Sequence, residues 1–210
     1  MASTNSGLES RHSRVRDSKS GSWGSSSQDF LYLANMLFEK SVGEAKRANG
    51  NCSVYALAGI PLLFSALRCL LIELNAGIYT ASAERPLELA KLAKSGNDIS
   101  FIVEHYPIPV DLRKKLELLL QVRHEITHPA HRPSSERNNT PLYLLPLREA
   151  GLLNSTGGEI DYIWIDQLKS HKLFEWAFVT LKATVDVLIC EHDVKGLIAD
   201  GLRLPYDHHK

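Results

Sequence analysis

An all-α helical bundle is the fold class this sequence predicts, and three observations predict it. Apolar residues recur at helical spacing in the long segments, as in the run Leu63, Leu67, Leu70, Leu71 and Leu74. Few stretches alternate apolar and polar residues in the manner of a half-buried strand. Glycine, proline and small polar residues gather mostly between the periodic segments, where they act as breaks. Medium and long helices with apolar stripes bury them against one another, which is the definition of a bundle.

The elements follow in order. Residues 1–28 hold ten serines and three glycines, with Leu8, Val15 and Trp23 as their large apolar groups. Such a segment buries too little surface to offset its ordering entropy, so a disordered, mildly basic tail is expected there. It would act as a solubilising tail or as a weak tether for RNA. The folded domain is expected over residues 29–195 and a second tail over 196–210. A helix over residues 30–47 has Ser26, Ser27 and Asp29 as candidate caps and stops before Gly50. The most apolar segment, 54–76, contains Pro61, which either kinks it or marks a start. A short helix is expected over 86–94. Another over 99–105 has Asp98 as its cap. Pro109 then opens a strong helix over 110–128 that stops at Pro129. Residues 129–160 are rich in Pro, Asn, Ser and Gly and read as a long loop or insertion. The run 160–165 reads as a strand or a helix lead-in. A last helix over 167–192 carries Leu173, Trp176, Ala177, Thr180, Leu181, Thr184 and Leu188 on one face. Trp164, Trp176 and Phe178 read as core residues rather than base-stacking platforms.

Composition narrows the function classes. A length of 210 residues fits one domain with a tail. Charged residues are 23% and hydrophobic residues 44%, as in ordinary globular protein. Lys+Arg and Asp+Glu balance at 24 each, which argues against a general polybasic nucleic-acid binder and leaves a local basic site open. Cys52, Cys69 and Cys190 lie far apart without a C-x-x-C, so neither a disulfide scaffold nor a cysteine zinc module is expected. The N-terminus has no apolar core of a secretory signal. The uncharged run 51–67 is interrupted by Asn51, Ser53, Gly59, Pro61 and Ser65, short of the ~18 consecutive apolar residues of a membrane span. A cytoplasmic protein with reduced thiols and no membrane segment is the expectation. No P-loop, no convincing G-x-G-x-x-G and no G-x-S-x-G is present.

The chemistry concentrates at the end of one helix, in residues 116–133, LELLLQVRHEITHPAHRP. Of the nine histidines, His124, His128 and His131 fall here. On a wheel of about 100° per residue, Leu112, Leu116, Leu119, Leu120 and Ile126 form a stripe with Arg123 in its middle. A guanidinium there is costly unless it meets a carboxylate, a phosphate or an opening onto solvent. His124 and His128 stand one turn apart at the stripe's edge, and the helix dipole favours a protonated histidine at its C-terminus. Two motifs overlap. The first is H-E-x-x-H, in which His124 and His128 would hold zinc with Glu125 as the base of a metallopeptidase. Pro129 ends the helix at once, no H-x-x-G-x-x-H extension follows, and Glu149 and Glu159 are third ligands by distance alone.

The second motif is R-x4-H, from Arg123 to His128, with polar His124 after the arginine. With the apolar segment SALRCLLIELN before it and an amphipathic helix after it, "VRHEITHP" resembles the signature of the HEPN superfamily (higher eukaryotes and prokaryotes nucleotide-binding domain). The resemblance spans roughly residues 30–192, and the 129–160 loop is longer than a minimal member needs. It implies a four- to five-helix bundle and a metal-independent endoribonuclease that needs no cofactor. RNA would supply its own 2′-OH as nucleophile, leaving a 2′,3′-cyclic phosphate. His128 would act as general acid or base and Arg123 would hold the phosphate. His124 would assist, and Glu73 of the early helix would complete the site. The resemblance further implies RNA as substrate, a homodimer with two motifs facing one cleft, and a toxin or defence role with an antitoxin or regulatory partner. The alternatives are structural. Arg123 would pair with Glu73 or Glu117 and lock helices together, or the bundle would bind RNA or protein without catalysis. His131 and Arg132 would add positive potential or sit in a solvated loop. His208 and His209 read as tail.

Overall fold

The protein is described from a computed structural model, which covers residues 26–47, 50–78, 85–129, 140–154, 164–192 and 194. Seven α-helices and two 3-10 turns follow one another among these residues, with no strand. They are α1 (Ser26–Arg47), α2 (Tyr55–Asn75), α3 (Pro86–Lys94), α4 (Asp98–His105), α5 (Val110–Thr127), α6 (Leu145–Glu149) and α7 (His171–Glu191). The protein is all-α. Residues 1–25 and the C-terminal tail lie outside the described residues, as do residues 160–163; Ser26–Gln28, expected in the N-terminal tail, instead form the first turn of α1 with Ser27 buried, and Trp164–Leu168 is a 3-10 turn.

Helix α2 is the centre because it is apolar almost all round. Ile60, Leu63, Leu67, Leu70, Leu71 and Leu74 are each at most 2% exposed. They belong to one core with Phe38 of α1, Leu116 and Leu119 of α5, and Phe174, Phe178 and Leu181 of α7. α2 has the length and hydropathy to cross a membrane, and in this fold its stripe serves as the core of the bundle. Its packing against α7 depends on one missing side chain. A Cβ added at Gly59 would lie 1.9 Å from Cζ of Phe174, so only glycine lets that ring rest on the α2 backbone. The ring is fully buried and packs edge-on to Phe38 at a centroid distance of 5.4 Å.

Two carboxylates set the antiparallel pairing of α1 and α2. Near the end of α2, Glu73 accepts hydrogen bonds from Ser27 N–H (3.1 Å) and Ser27 Oγ (2.5 Å) at the start of α1. Near the end of α1, Glu44 accepts from Ser53 Oγ (2.8 Å) and Val54 N–H (3.1 Å) just before α2. The first contact places an anion at the positive end of α1 and satisfies an amide the helix cannot.

Several local expectations are revised. Pro61 lies inside α2 and neither starts nor ends it. The Asn97 side chain, not Asp98, caps α4 by accepting from Ser100 N–H at 2.7 Å. α5 ends at Thr127, with His128 as its C-cap residue. The expected 129–160 loop contains a 3-10 turn (Leu142–Leu144) and α6, and Leu144 and Leu147 are buried in the main core. Leu144 and Leu147 therefore close part of the bundle, while Leu142 and Tyr143 of the same run stay exposed.

Candidate functional site

The last two turns of α5 divide into three faces. Val122 and Glu125 point inward and are buried. Leu120, Arg123 and Thr127 face a groove of about 400 Å³. His124 and His128 are exposed, their ring centroids 5.5 Å apart. The wheel placed Arg123 in the middle of the apolar stripe, and the structure places it at the rim. The reason is a drift of the buried face, which runs through Leu112, Leu116 and Leu119 and then turns toward Val122 and Glu125. Arg123 is left half-buried, its Cζ 5.8 Å from the centroid of the Phe64 ring.

The groove lies between α5, the face of α2 that carries Phe64, Ser65 and Arg68, and the α3–α4 connection with Asn97 and Asp98. Arg68 forms an ion pair with Asp98 across it. Arg123 has no ion pair among the described residues. The groove thus holds two guanidinium groups and one carboxylate, which Arg68 takes, and Arg123 is left as an uncompensated positive charge among the described residues. Its partly apolar wall strengthens the field that an anion entering it would meet.

Neither His124 nor His128 lines this groove. Five residues of helix carry the chain about 140° round the axis, so Arg123 and His128 leave α5 on different faces. Within one chain the structure brings Arg123, Arg68 and Asp98 together, and His124 with His128, as two adjacent surfaces. Glu73 is not brought to either, since its carboxylate accepts from Ser27 at the start of α1. Glu117 pairs with Arg113 one turn before it (3.1 Å), not with Arg123. The H-E-x-x-H reading needs Glu125 beside the two imidazoles. Glu125 is instead 3% exposed while both histidines face solvent. Among the described residues no group of three or more His, Cys, Asp or Glu is placed to hold a metal ion. Glu159, His131, Arg132, His208 and His209 lie outside the described residues.

Sequence reasoning missed Arg68 and Asp98 as groove residues. The signal was present in α2, where Arg68 is a lone cation in an apolar run, as Arg123 is in α5. It also missed a buried polar chain on the far end of α2. Asn75 Nδ2 donates to Tyr106 Oη (3.2 Å), and Tyr106 Oη lies 2.9 Å from His192 Nε2. Burial raises the Tyr106 pKa above its ordinary value. Burial, and secondarily Arg85, lowers that of His192. The chain ties the ends of α2, α4 and α7 together and opens onto no groove described here.

The class of protein that fold and site define is an all-α bundle with an unneutralised arginine groove beside an exposed histidine pair. No protein-family model, curated protein or solved structure matches the chain.

Proposed function

We propose that the protein is a metal-independent endoribonuclease of the HEPN type, with Arg123, His124 and His128 as its working residues. One observation carries the reading. Arg123 is held half-buried against Phe64 and facing an open groove, without a carboxylate partner among the described residues, while its neighbour Arg68 has one. A guanidinium kept in that state suits a phosphate, which a planar fork of donors binds in two places. The histidines supply the proton chemistry. One imidazole takes the proton of the 2′-OH as that oxygen attacks phosphorus. The 5′-oxygen leaves with a proton returned to it, and a 2′,3′-cyclic phosphate remains. Arg123 stabilises the charge that builds on the non-bridging oxygens.

Because Arg123 and His128 face different sides of one helix, the reading includes a homodimer in which His128 of a second copy approaches the Arg123 groove. The same angular separation favours a second reading, in which the groove binds RNA phosphate and no cleavage follows. The deciding experiment treats single-stranded RNAs with the wild-type protein in excess EDTA, beside Arg123→Ala and His128→Ala. Cleavage to cyclic phosphate ends, lost in both variants, supports the nuclease. RNA binding that depends on Arg123 without any cleavage selects the binding module. EDTA-sensitive cleavage contradicts the metal-independent mechanism.

A further inference from the structure

A second concave surface lies at the other end of the chain's described part, between the α6 C-terminus and the start of α7. It is a cleft of about 420 Å³ bordered by Arg148, Asn154, Gln167 and Lys172, with Leu153 as its apolar side and Asn51 at its edge. No carboxylate is among its described lining residues. Neither Arg148 nor Lys172 forms an ion pair among the described residues.

The walls are fixed by hydrogen bonds among three separate segments. Asn51 Nδ2 donates to Ser170 Oγ (2.7 Å), and Ser170 Oγ donates to Leu152 O. His171 N–H donates to Asn51 O and Asn154 N–H to Gln167 O, each at 2.8 Å. Gly151, at φ 68°, makes the left-handed turn that brings Leu153 and Asn154 back over the cleft after α6. The first amides of α7 are already used, because Lys172 N–H donates to Asn51 Oδ1 (2.8 Å) and Leu173 N–H to Ser170 Oγ (3.1 Å). The positive character of the cleft therefore comes from the Arg148 and Lys172 side chains and not from the helix end. Arg148 Nη1 donates to Thr140 Oγ1 at 3.5 Å, a neutral partner that leaves its charge uncompensated. A rigid frame that holds two cations without a carboxylate at one cavity lowers the ordering cost of binding an anion.

We infer that this cleft binds a phosphate ester of about mononucleotide size, with Arg148 and Lys172 on the phosphate. The cavity is far larger than an isolated phosphate needs and falls in the range of small-ligand sites of roughly 300–1,000 Å³. The Asn154 carboxamide offers a donor and an acceptor to the polar edge of the attached group, and Leu153 offers it apolar contact. Chemically the phosphate belongs either to a free nucleotide or to an RNA strand. The inference does not rest on the nuclease reading, since the cleft shares no residue with the Arg123 groove.

The test is calorimetric titration of the full chain carrying both Arg123→Ala and His128→Ala, which removes the cation of the other groove and prevents RNA turnover. Adenosine 5′-monophosphate, adenosine and a short single-stranded RNA are the probes. Saturable binding of the monophosphate, none of adenosine, and a loss of about tenfold in affinity in each of Arg148→Ala and Lys172→Ala are expected. Both cleft cations are exposed, so their variants should melt with the parent. Lys172→Gln repeats the test by removing charge alone. Binding of the RNA but not the monophosphate, lost in the same variants, supports the phosphate site and assigns its source to a strand. The inference is overturned if neither phosphate probe saturates, or if either binds the cleft variants as tightly as the parent.

Discussion

Replacing Glu73 separates a structural carboxylate from a catalytic one. Its side chain is 6% exposed and accepts from Ser27 N–H at 3.1 Å and Ser27 Oγ at 2.5 Å. Ser27 is itself 1% exposed, so water cannot easily replace the lost acceptor. Hydrogen bonds to a charged group contribute about 1.5–3 kcal/mol each, and the two here share one carboxylate. An anion at a helix N-terminus adds about 0.3–1 kcal/mol. Part of this is offset by the cost of keeping the carboxylate out of water. A net loss of about 2–4 kcal/mol is therefore expected for Glu73→Ala. Glu73→Gln, which keeps one carbonyl acceptor, should lose about half as much. For a chain of this size the alanine variant should melt about 4–16 °C lower. Urea denaturation followed by circular dichroism measures the change. The fraction that remains folded should retain its RNA-directed activity per molecule. A Glu73→Ala protein as stable as the wild type yet unable to act on RNA would refute the structural assignment and return Glu73 to the catalytic set.

Other outcomes are expected from the same geometry. Gly59→Ala should destabilise by about 1–3 kcal/mol through overpacking against Phe174, less up to ~1 kcal/mol of helix propensity regained. Phe174→Leu in the same chain should recover part of the loss, and a neutral Gly59→Ala would show that the ring can move aside. Burial lowers the pKa of His192 and of His171 from 6.5, so the unfolded chain binds protons first as pH falls. Their contribution is full above about pH 6.5 and is lost on acidification through the folded values, so denaturation midpoints should drop between neutral and mildly acidic pH. A midpoint unchanged over that window contradicts the assignment. Mixing inactive Arg123→Ala with inactive His128→Ala should restore about a quarter of wild-type cleavage if each site takes one residue from each copy. Half of randomly paired dimers are then mixed, and each mixed dimer holds one intact site of two. No recovery after verified subunit exchange would place both residues in one chain's site.

The bundle was legible because its information is local. Leu63 through Leu74 and Leu173 through Leu188 recur at a period that one segment displays by itself, and both segments form the helices they predict. Arg123 was legible for a related reason, as a cation among leucines. What a segment cannot display is its partner. Ser27 meets Glu73 across 46 residues and Arg68 meets Asp98 across 30, so the sequence showed these groups without showing who neutralises whom. The wheel assumed a straight stripe. The core turns its demand from Leu119 toward Val122 and Glu125, which moved Arg123 from the centre of a buried face to the lip of a groove. In residues 129–160 the polar average concealed Leu144 and Leu147, and only tertiary burial shows these two to be core.

Charge balance over the whole chain conceals an uneven distribution over its surface. Lys+Arg and Asp+Glu are equal at 24, yet their pairing is not uniform. Arg113, Lys169 and Lys182 meet carboxylates one turn away along their own helix or 3-10 segment. Such i,i+3 and i,i+4 pairs cancel charge locally and contribute little to stability. Arg123, Arg148 and Lys172 border the two concave surfaces and are left without carboxylates among the described residues. A cation in a concavity acts over a low-dielectric wall, so its field reaches an incoming anion with less screening than a surface charge has. On the two proposals above, a neutral protein binds phosphate at two places and weakly elsewhere. A polybasic binder would lose affinity for RNA steeply with salt, one counterion for each phosphate it covers. This chain should show a shallow salt slope, set by the few cations its grooves hold, and removing Arg123 should reduce that slope by about one unit.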